Sequence, residues 1–335
     1  MNILLTSVGR RSYLVSYFKE AFAEIGQVHA ANSTETYAMS IADKAVITPL
    51  IYDKAYIKFL LSYCVEQNIG AIISLFDIDL PILAKNKSRF SEIGVKVIVS
   101  DHNVTQICND KWLTYLFLVE NGFFTPKTFL SIAECKTEVE KEIIQFPLMI
   151  KPRWGMGSIG IYQADDINEL DILYRKTKKN IIESYLKYES SFDLENSIIL
   201  QEKLIGTEYG LDVFNNLNGN FLTCIPKIKL AMRAGETDSA EIVDNSELYN
   251  LGKNLSQKLK HIANLDVDCF KIGDNYFVLE MNCRFGGQYP FCHLAGVNFP
   301  KAIMNMLVGN PANKSFLKAK FGVIGVKDII PVRIK

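Results

Sequence analysis

A lysine opens the stretch Lys151-Pro152-Arg153-Trp154-Gly155-Met156-Gly157-Ser158-Ile159-Gly160, and three glycines and a serine follow it. Glycine lets backbone amides come close to an anion and take up positive φ. Successive amides in such a loop form a concavity suited to phosphate, and the lysine adds a compact positive charge for phosphate oxygens. These residue types point to a polyphosphate ligand. Gly155-x-Gly157-x-x-Gly160 also has the spacing GxGxxG, but that fingerprint should follow the first strand of a βαβ unit and open a helix. Here it lies in mid-chain, and Ile159-Gly160-Ile161-Tyr162 reads as a strand, so the loop reads as the tip of a β-hairpin.

No Gly-Lys-Ser/Thr closes the loop, which excludes the Walker pattern. Protein kinases use a glycine-rich hairpin too, but their lysine comes after it, and no HRD-type catalytic loop is present here. A second constellation runs from Asp268 to Asn282 and reads as a hairpin turning at Gly273-Asp274-Asn275. A three-residue loop pairs Ile272 with Tyr276 and so sets Asp268 opposite Glu280, where like charges repel. Asn282 shares the face of Glu280, because strand side chains repeat every second residue. Two carboxylates and an amide oxygen are hard ligands, and Mg²⁺ would turn the repulsion into attraction while also taking substrate phosphates. A two-residue loop would break this pairing. Arg284 follows at once, and an arginine beside a metal–phosphate site stabilises developing negative charge. A third stretch, residues 201–213, ends one strand, turns at Gly206 and starts another with Glu208. Its backbone can meet an adenine edge, and the carboxylate can accept ribose hydroxyls.

Positioning these groups falls to a chain that alternates strands and helices. Residues 2–6, 27–32, 45–49, 70–74 and 95–99 read as strands, and residues 12–25, 56–68 and 81–90 as helices. This alternation predicts an α/β, doubly wound parallel sheet. Ligands of such sheets sit at the C-terminal strand ends, which puts Ser7, Gly9, Arg10, Asn32 and Asp77 on one rim. A helix is expected to start near Asn109 or Asp110 and to bury Trp112, Tyr115, Leu116 and Val119. Lys111 lies in its first turn, where a cation opposes the helix dipole, so it is read as pointing at an anion. A smaller unit follows, with strands at 146–150, 160–163 and 197–201 and an Asp-capped helix at 166–178. Beyond it, residues 221–230 and 266–281 carry most of the strand signal.

The length of 335 residues implies two or three domains. Basic and acidic residues balance at 37 each, which argues against a general nucleic-acid binder. Seven cysteines, none at CxxC spacing, read as reduced and mostly buried thiols. The apolar N-terminal run is too short for a signal peptide and nothing approaches a membrane span. A cytoplasmic protein without membrane or nucleic-acid partners is expected.

The three motifs, in this order, resemble the ATP-grasp superfamily, closest to its carbamoyl-phosphate-synthase-like and carboxylate–amine ligase branches. The resemblance covers roughly residues 105–290. It implies a Rossmann-like pre-ATP-grasp domain at 1–104 and a two-lobed ATP-grasp domain at 105–335. The latter divides into a lid subdomain of α+β character at 125–203 and a metal- and substrate-binding lobe at 204–335. By the resemblance, Lys111 and Lys151 would hold ATP phosphates, and Gly155, Gly157 and Ser158 would close over them. Glu202 and Leu204 would meet adenine through the backbone, with Lys203 between them, and Glu208 would bind ribose. Asp268, Glu280 and Asn282 would hold one or two Mg²⁺ (or Mn²⁺), and Arg284 would touch the transferred phosphoryl group. Asp268 stands where many members carry glutamate or glutamine, and Cys283 where proline is common.

The implied chemistry activates a carboxylate as an acyl phosphate, which an amine (or thiol) then attacks. The substrate carboxylate needs a cation near the metal, and Lys227, Lys229 and Arg233 run toward the site. Arg233 is assigned to that carboxylate and Lys229 to the phosphate shell, while Arg10, Arg11 and Asp77 are candidates for reading the other substrate. Small carboxylate and amine substrates and a possible homodimer are the expected partners. Two other readings stand beside this one: a non-catalytic ATP-binding protein, and a nicotinamide dehydrogenase that would rest on GxGxxG alone.

Overall fold

Apolar runs buried on both faces organise the first of three sheets. The computed structural model describes residues 1–333. Strands β1 (Asn2–Thr6), β2 (Val28–Asn32), β3 (Lys44–Ile47), β4 (Ile69–Ser74) and β5 (Lys96–Val97) pair in parallel in the order β3-β2-β1-β4-β5. Period-two geometry splits the side chains of β1. Ile3 and Leu5 pack with Leu14 and Phe18 of α1 (Ser12–Phe22), whereas Leu4 packs with Tyr56 and Leu60 across the sheet. Helices α2 (Tyr37–Ile41), α3 (Tyr56–Glu66), α4 (Asp79–Lys85) and α5 (Lys87–Glu92) complete this layer. Asp79 ties its rim together, accepting from Thr6 Oγ1 at 2.5 Å, Ser74 Oγ at 2.8 Å and the Tyr56 hydroxyl at 2.9 Å. Burial raises its pKa despite these donors.

Two helices, α6 (His102–Asn109) and α7 (Lys111–Glu120), lead out of this sheet. Asp110 caps α7 by accepting from the amides of Trp112 and Leu113. The expected buried face of α7 is corrected: Thr114 and Leu118 are buried, while Leu116 and Val119 are 42% and 52% exposed. This helix is apolar on nearly every side, so spacing alone selects no face.

A four-stranded antiparallel sheet comes next, in the order β6-β9-β7-β8. It contains β6 (Thr128–Phe129), α8 (Ile132–Glu140), β7 (Leu148–Pro152), β8 (Tyr162–Ala164), α9 (Ile167–Glu183), α10 (Lys187–Ser190) and β9 (Ile198–Glu202). Asp166 caps α9, as its sequence suggests. Leu148, Ile150, Leu170, Ile181, Ile198 and Leu200 form a core separate from the other two.

The last sheet is antiparallel and six-stranded, ordered β14-β13-β10-β11-β12-β15. It uses β10 (Thr207–Asn215), β11 (Phe221–Arg233), β12 (Glu236–Ile242), β13 (Asn264–Ile272), β14 (Asn275–Asn282) and β15 (Ile324–Val326). Helices α11 (Ser246–Leu259), α12 (Tyr289–Leu294) and α13 (Phe299–Leu307) pack around it. This lobe shares a core with the first sheet: Phe18 meets Phe285 edge-on at 5.6 Å, and Tyr17 stacks on His293 at 3.6 Å. The architecture is therefore the expected one, a Rossmann-like α/β sheet followed by two α+β lobes. All seven cysteines are free and buried. Among the described residues no helix is long and apolar enough to cross a membrane.

Candidate functional site

Strand β7 carries Lys151 to the mouth of the glycine loop, and β8 leads away antiparallel to it, so the loop is a hairpin tip. Gly155, Gly157 and Gly160 take φ of 130°, 65° and 72°, and Ser158 joins them at 59°. The base of the loop is fixed to the start of α7. Arg153 grips Asp110 with Nε to Oδ1 at 2.8 Å and Nη2 to Oδ2 at 2.7 Å, a planar two-point pair. The Lys111 amide donates to Arg153 O at 3.1 Å, and Lys111 Nζ donates to Gly155 O at 2.6 Å. The tip rests on the β11–β12 hairpin, where a Cβ at Gly235 would stand 2.2 Å from Ser158 Oγ.

Lys151 is buried and donates to Gln201 Oε1 at 2.7 Å. Burial lowers its pKa to about 8 and the charge of Lys111 adds to this, while Glu280 and Glu208 oppose it. The same groups thus surround one space from both lobes.

The β13–β14 hairpin reaches the expected pairing by an unexpected route. Its loop has two residues, Gly273 and Asp274, because Ile272 pairs with Asn275; the three-residue loop is corrected. That register would set Asp268 opposite Leu279. A bulge between Asp268 and Cys269 shifts the pairing by one, and Asp268 faces Glu280 after all. Bulges re-aim side chains in this way. The amide of Asn282 donates to Glu280 Oε1 at 3.3 Å. Lys229 Nζ lies 2.7 Å from both Asp268 Oδ1 and Glu208 Oε1. Burial works against the charge of Lys229, but Asp268 and Glu208 outweigh it and raise its pKa. Burial pushes Asp268 up to about 6, against Lys229 and with help from Asp266 and Glu280.

This excess of half-buried acid is what a divalent cation would relieve. Among the described residues no group of three or more His, Cys, Asp or Glu could hold a metal alone. Asp268, Glu280 and the Asn282 amide oxygen form a partial, hard-oxygen set. It fits Mg²⁺, which completes its shell with waters and phosphate oxygens.

Arg284 occupies a different position from the one its motif suggests. Its Nε and Nη2 reach Asp77 Oδ2 at 3.0 and 2.9 Å, and Nη1 reaches Asp266 Oδ2 at 2.8 Å. Burial opposes its charge, but both carboxylates outweigh it and raise its pKa. The guanidinium is a strut between the first sheet and the C-terminal lobe. Gly286 keeps it possible, since a Cβ there would lie 2.1 Å from the Asp266 carboxyl. Arg11 bonds Leu75 O and Phe285 O. Arg11 and Asp77 are therefore joints between lobes, while Arg10 remains exposed.

Arg233 lies at the outer end of β11, its side chain 45% exposed and paired with Asp238 at 2.8 Å. The structure does not bring it to the Lys229 network, although its neighbour Gly235 faces the lid tip. Lys227 is buried against Asp212 at 2.6 Å, away from solvent. Glu202 ends β9, Lys203 donates to Gln163 Oε1 at 2.7 Å, and Leu204 lies in the linker to β10. The side-chain contacts of Gln201, Arg153 and Asp266, and the grip of Arg153 on the helix-capping Asp110, escaped the sequence reading. Only Arg153 gave a usable signal, two residues after Lys151 within the glycine run.

Comparison with known proteins agrees with this fold. Residues 3–98 match the family described as PylC-like, N-terminal domain. Residues 195–328 match the family described as ATP-grasp in the biosynthetic pathway with Ter operon. The carbamoyl phosphate synthase large chain of Pseudothermotoga lettingae is 21% identical over 317 residues, 90% of this chain. The match spans about a quarter (26%) of that relative's length. The biotin carboxylase domain of Hydrogenobacter thermophilus 2-oxoglutarate carboxylase, solved with MgADP and bicarbonate, superposes with a TM-score of 0.74 at 16% identity. That likeness covers 96% of this chain and 73% of the other. An L-amino acid ligase from Bacillus licheniformis gives 0.69 at 19% identity, covering 95% and 77%. With a glycine hairpin over an Asp–Glu–Asn face, and both family matches in chain order, residues 195–328 belong to an ATP-grasp unit that follows a PylC-like N-terminal domain at residues 3–98.

Proposed function

We propose that the protein is an ATP-dependent ligase that activates a small carboxylate and joins it to an amine. The carrying observation is the convergence of Lys151, Glu208, Lys229, Asp268 and Glu280 beneath a glycine hairpin that belongs to a separately cored subdomain. Lys111 and Lys151 hold the triphosphate, with Gly155, Gly157 and Ser158 closing over it. The backbone of Glu202 and Leu204 takes adenine with Lys203 beside it, and Glu208 takes ribose as Lys229 turns to the phosphates. Asp268, Glu280 and Asn282 would hold Mg²⁺, which when bound would supply positive charge to offset that of the phosphates.

A carboxylate oxygen attacks the γ-phosphorus in line, the bond to the β-phosphate oxygen breaks, and ADP leaves. The amine then attacks the acyl carbon and phosphate departs. Positioning and charge neutralisation do most of the work in such transfers. Lid closure keeps water from the acyl phosphate. Arg284 acts by locking the face that bears Glu280 and Asn282 to the first sheet, and Arg233 receives the substrate carboxylate only if the β11–β12 hairpin swings inward.

A screen for phosphate release with amino acids, sugar acids and amines, read by mass spectrometry, tests this reading. One pair that yields equal ADP, phosphate and condensed product supports it. ATP binding without phosphate release across the panel would favour a non-catalytic nucleotide-binding protein. Sedimentation would show whether the chain forms a homodimer, the form named for the 2-oxoglutarate carboxylase domain.

A further inference from the structure

One acid in the lid answers to no partner the ligase reading supplies. Glu189, on α10, is 7% exposed. Its Oε1 accepts from Asn109 Nδ2 at 2.7 Å, while its Oε2 is buried with no hydrogen-bond partner. Asp77, Lys111 and Asp110 are its charged neighbours, and Tyr52 and Tyr185 face it from the first sheet's loops and from the lid. Each charged neighbour is already engaged: Asp77 with Arg284, Asp110 with Arg153, and Lys111 with Gly155 O. Tyr52 stacks on Tyr188 at 4.6 Å and closes the lid against the first sheet here. A buried carboxylate oxygen without a donor calls for one, and an ammonium would supply both the donor and the opposite charge. The location suits the reaction, because Lys111 belongs to the phosphate shell and Asp77 to the Arg284 strut.

Resting on the ligase reading, we propose that Glu189 receives the amino group of the second substrate, binding it as an ammonium through Oε2 and taking its proton. Glu189 travels with the lid, whereas Asp77, Asn109 and Tyr52 do not, so an open lid admits the amine and a closed one encloses it. The proton moves from nitrogen to Oε2, and the freed nitrogen lone pair forms the bond to the acyl carbon. The carbon–oxygen bond to phosphate breaks, the departing phosphate takes the second proton from nitrogen, and the proton on Glu189 leaves as the product departs. Burial raises the Glu189 pKa to about 7, with Asp77 and Asp110 adding and Asn109 and Lys111 opposing. A base of that strength is matched to neutral pH.

Calorimetry on the full chain with Mg²⁺ and a non-hydrolysable ATP analogue, against ammonium, putrescine, spermidine and the twenty common amino acids, provides the test. At least one amine should bind the wild type, and Glu189→Gln should weaken it tenfold or more while binding the ATP analogue unchanged. With that amine, the acid limb of the kcat profile near pH 7 should vanish in Glu189→Gln and persist, shifted, in Glu189→Asp. No binding amine, or equal amine binding by wild type and Glu189→Gln, overturns the proposal. Failure of the wild type to bind the ATP analogue sinks the ligase reading itself.

Discussion

The lid and the six-stranded sheet hold opposite halves of the candidate site and are built in opposite ways. The lid packs around its own small core, and its loop relies on glycine φ values and a few hydrogen bonds. The sheet shares its core with the first domain and is braced by Arg284 between Asp77 and Asp266. A separate core can move as a body, since displacing it exposes little apolar surface. A shared core with buried ion pairs resists displacement. The contrast suits a reaction that needs a rigid charged floor and a removable cover.

The largest expected effect is on the floor. Glu280→Gln should cut ADP formation by at least about 10²-fold while circular dichroism stays unchanged; full turnover would detach Glu280 from the metal. Next is the brace. Asp77→Ala leaves Arg284 short of a partner and should cost about 3 kcal/mol of unfolding free energy. Hydrogen exchange in the lid core should not change, and uniform loss across both regions would erase the contrast drawn here.

A smaller effect is expected on the cover. Gly235→Val places a side chain where Ser158 docks and should raise the KM for ATP roughly tenfold, about 1.4 kcal/mol, with kcat less affected. An unchanged KM would mean the lid tip seats elsewhere. The smallest is a pH effect. The Lys151 pKa is lowered to about 8, so its charge is complete well below pH 8 and lost above it. ATP affinity should therefore weaken as pH rises through 8, a trend that Lys151→Met removes. Stability should move the other way. Below pH 8 the folded chain bears the cost of a buried ammonium, and between pH 8 and the ordinary lysine value the cost disappears. Parallel trends in affinity and stability would contradict the assignment.

Much of the floor was legible because strand periodicity places acids on a face. Yet Asp268 meets Glu280 only through a bulge at Leu279, and a bulge leaves no mark in a polar–apolar pattern. The strut was not legible at all: Asp77 and Arg284 are 207 residues apart, and alone the first reads as a rim charge and the second as a phosphoryl contact. Arg233 lies away from the Lys229 network for a related reason. A long hairpin carries its tip beyond the sheet face, and sequence gives no measure of where it curls. The lid loop was the easiest to read, because glycine spacing and a leading lysine encode a conformation locally. Helix α7 misled because it is apolar all round.

The most direct test is a crystal structure with Mg²⁺ and a non-hydrolysable ATP analogue. The triphosphate should lie between residues 155–158 and the Asp268–Glu280 pair, with Mg²⁺ touching both carboxylates and Lys151 Nζ on a phosphate oxygen. A nucleotide found instead along the C-terminal rim of the first parallel sheet, with Asp268 and Glu280 still bound only to protein groups, would contradict the account.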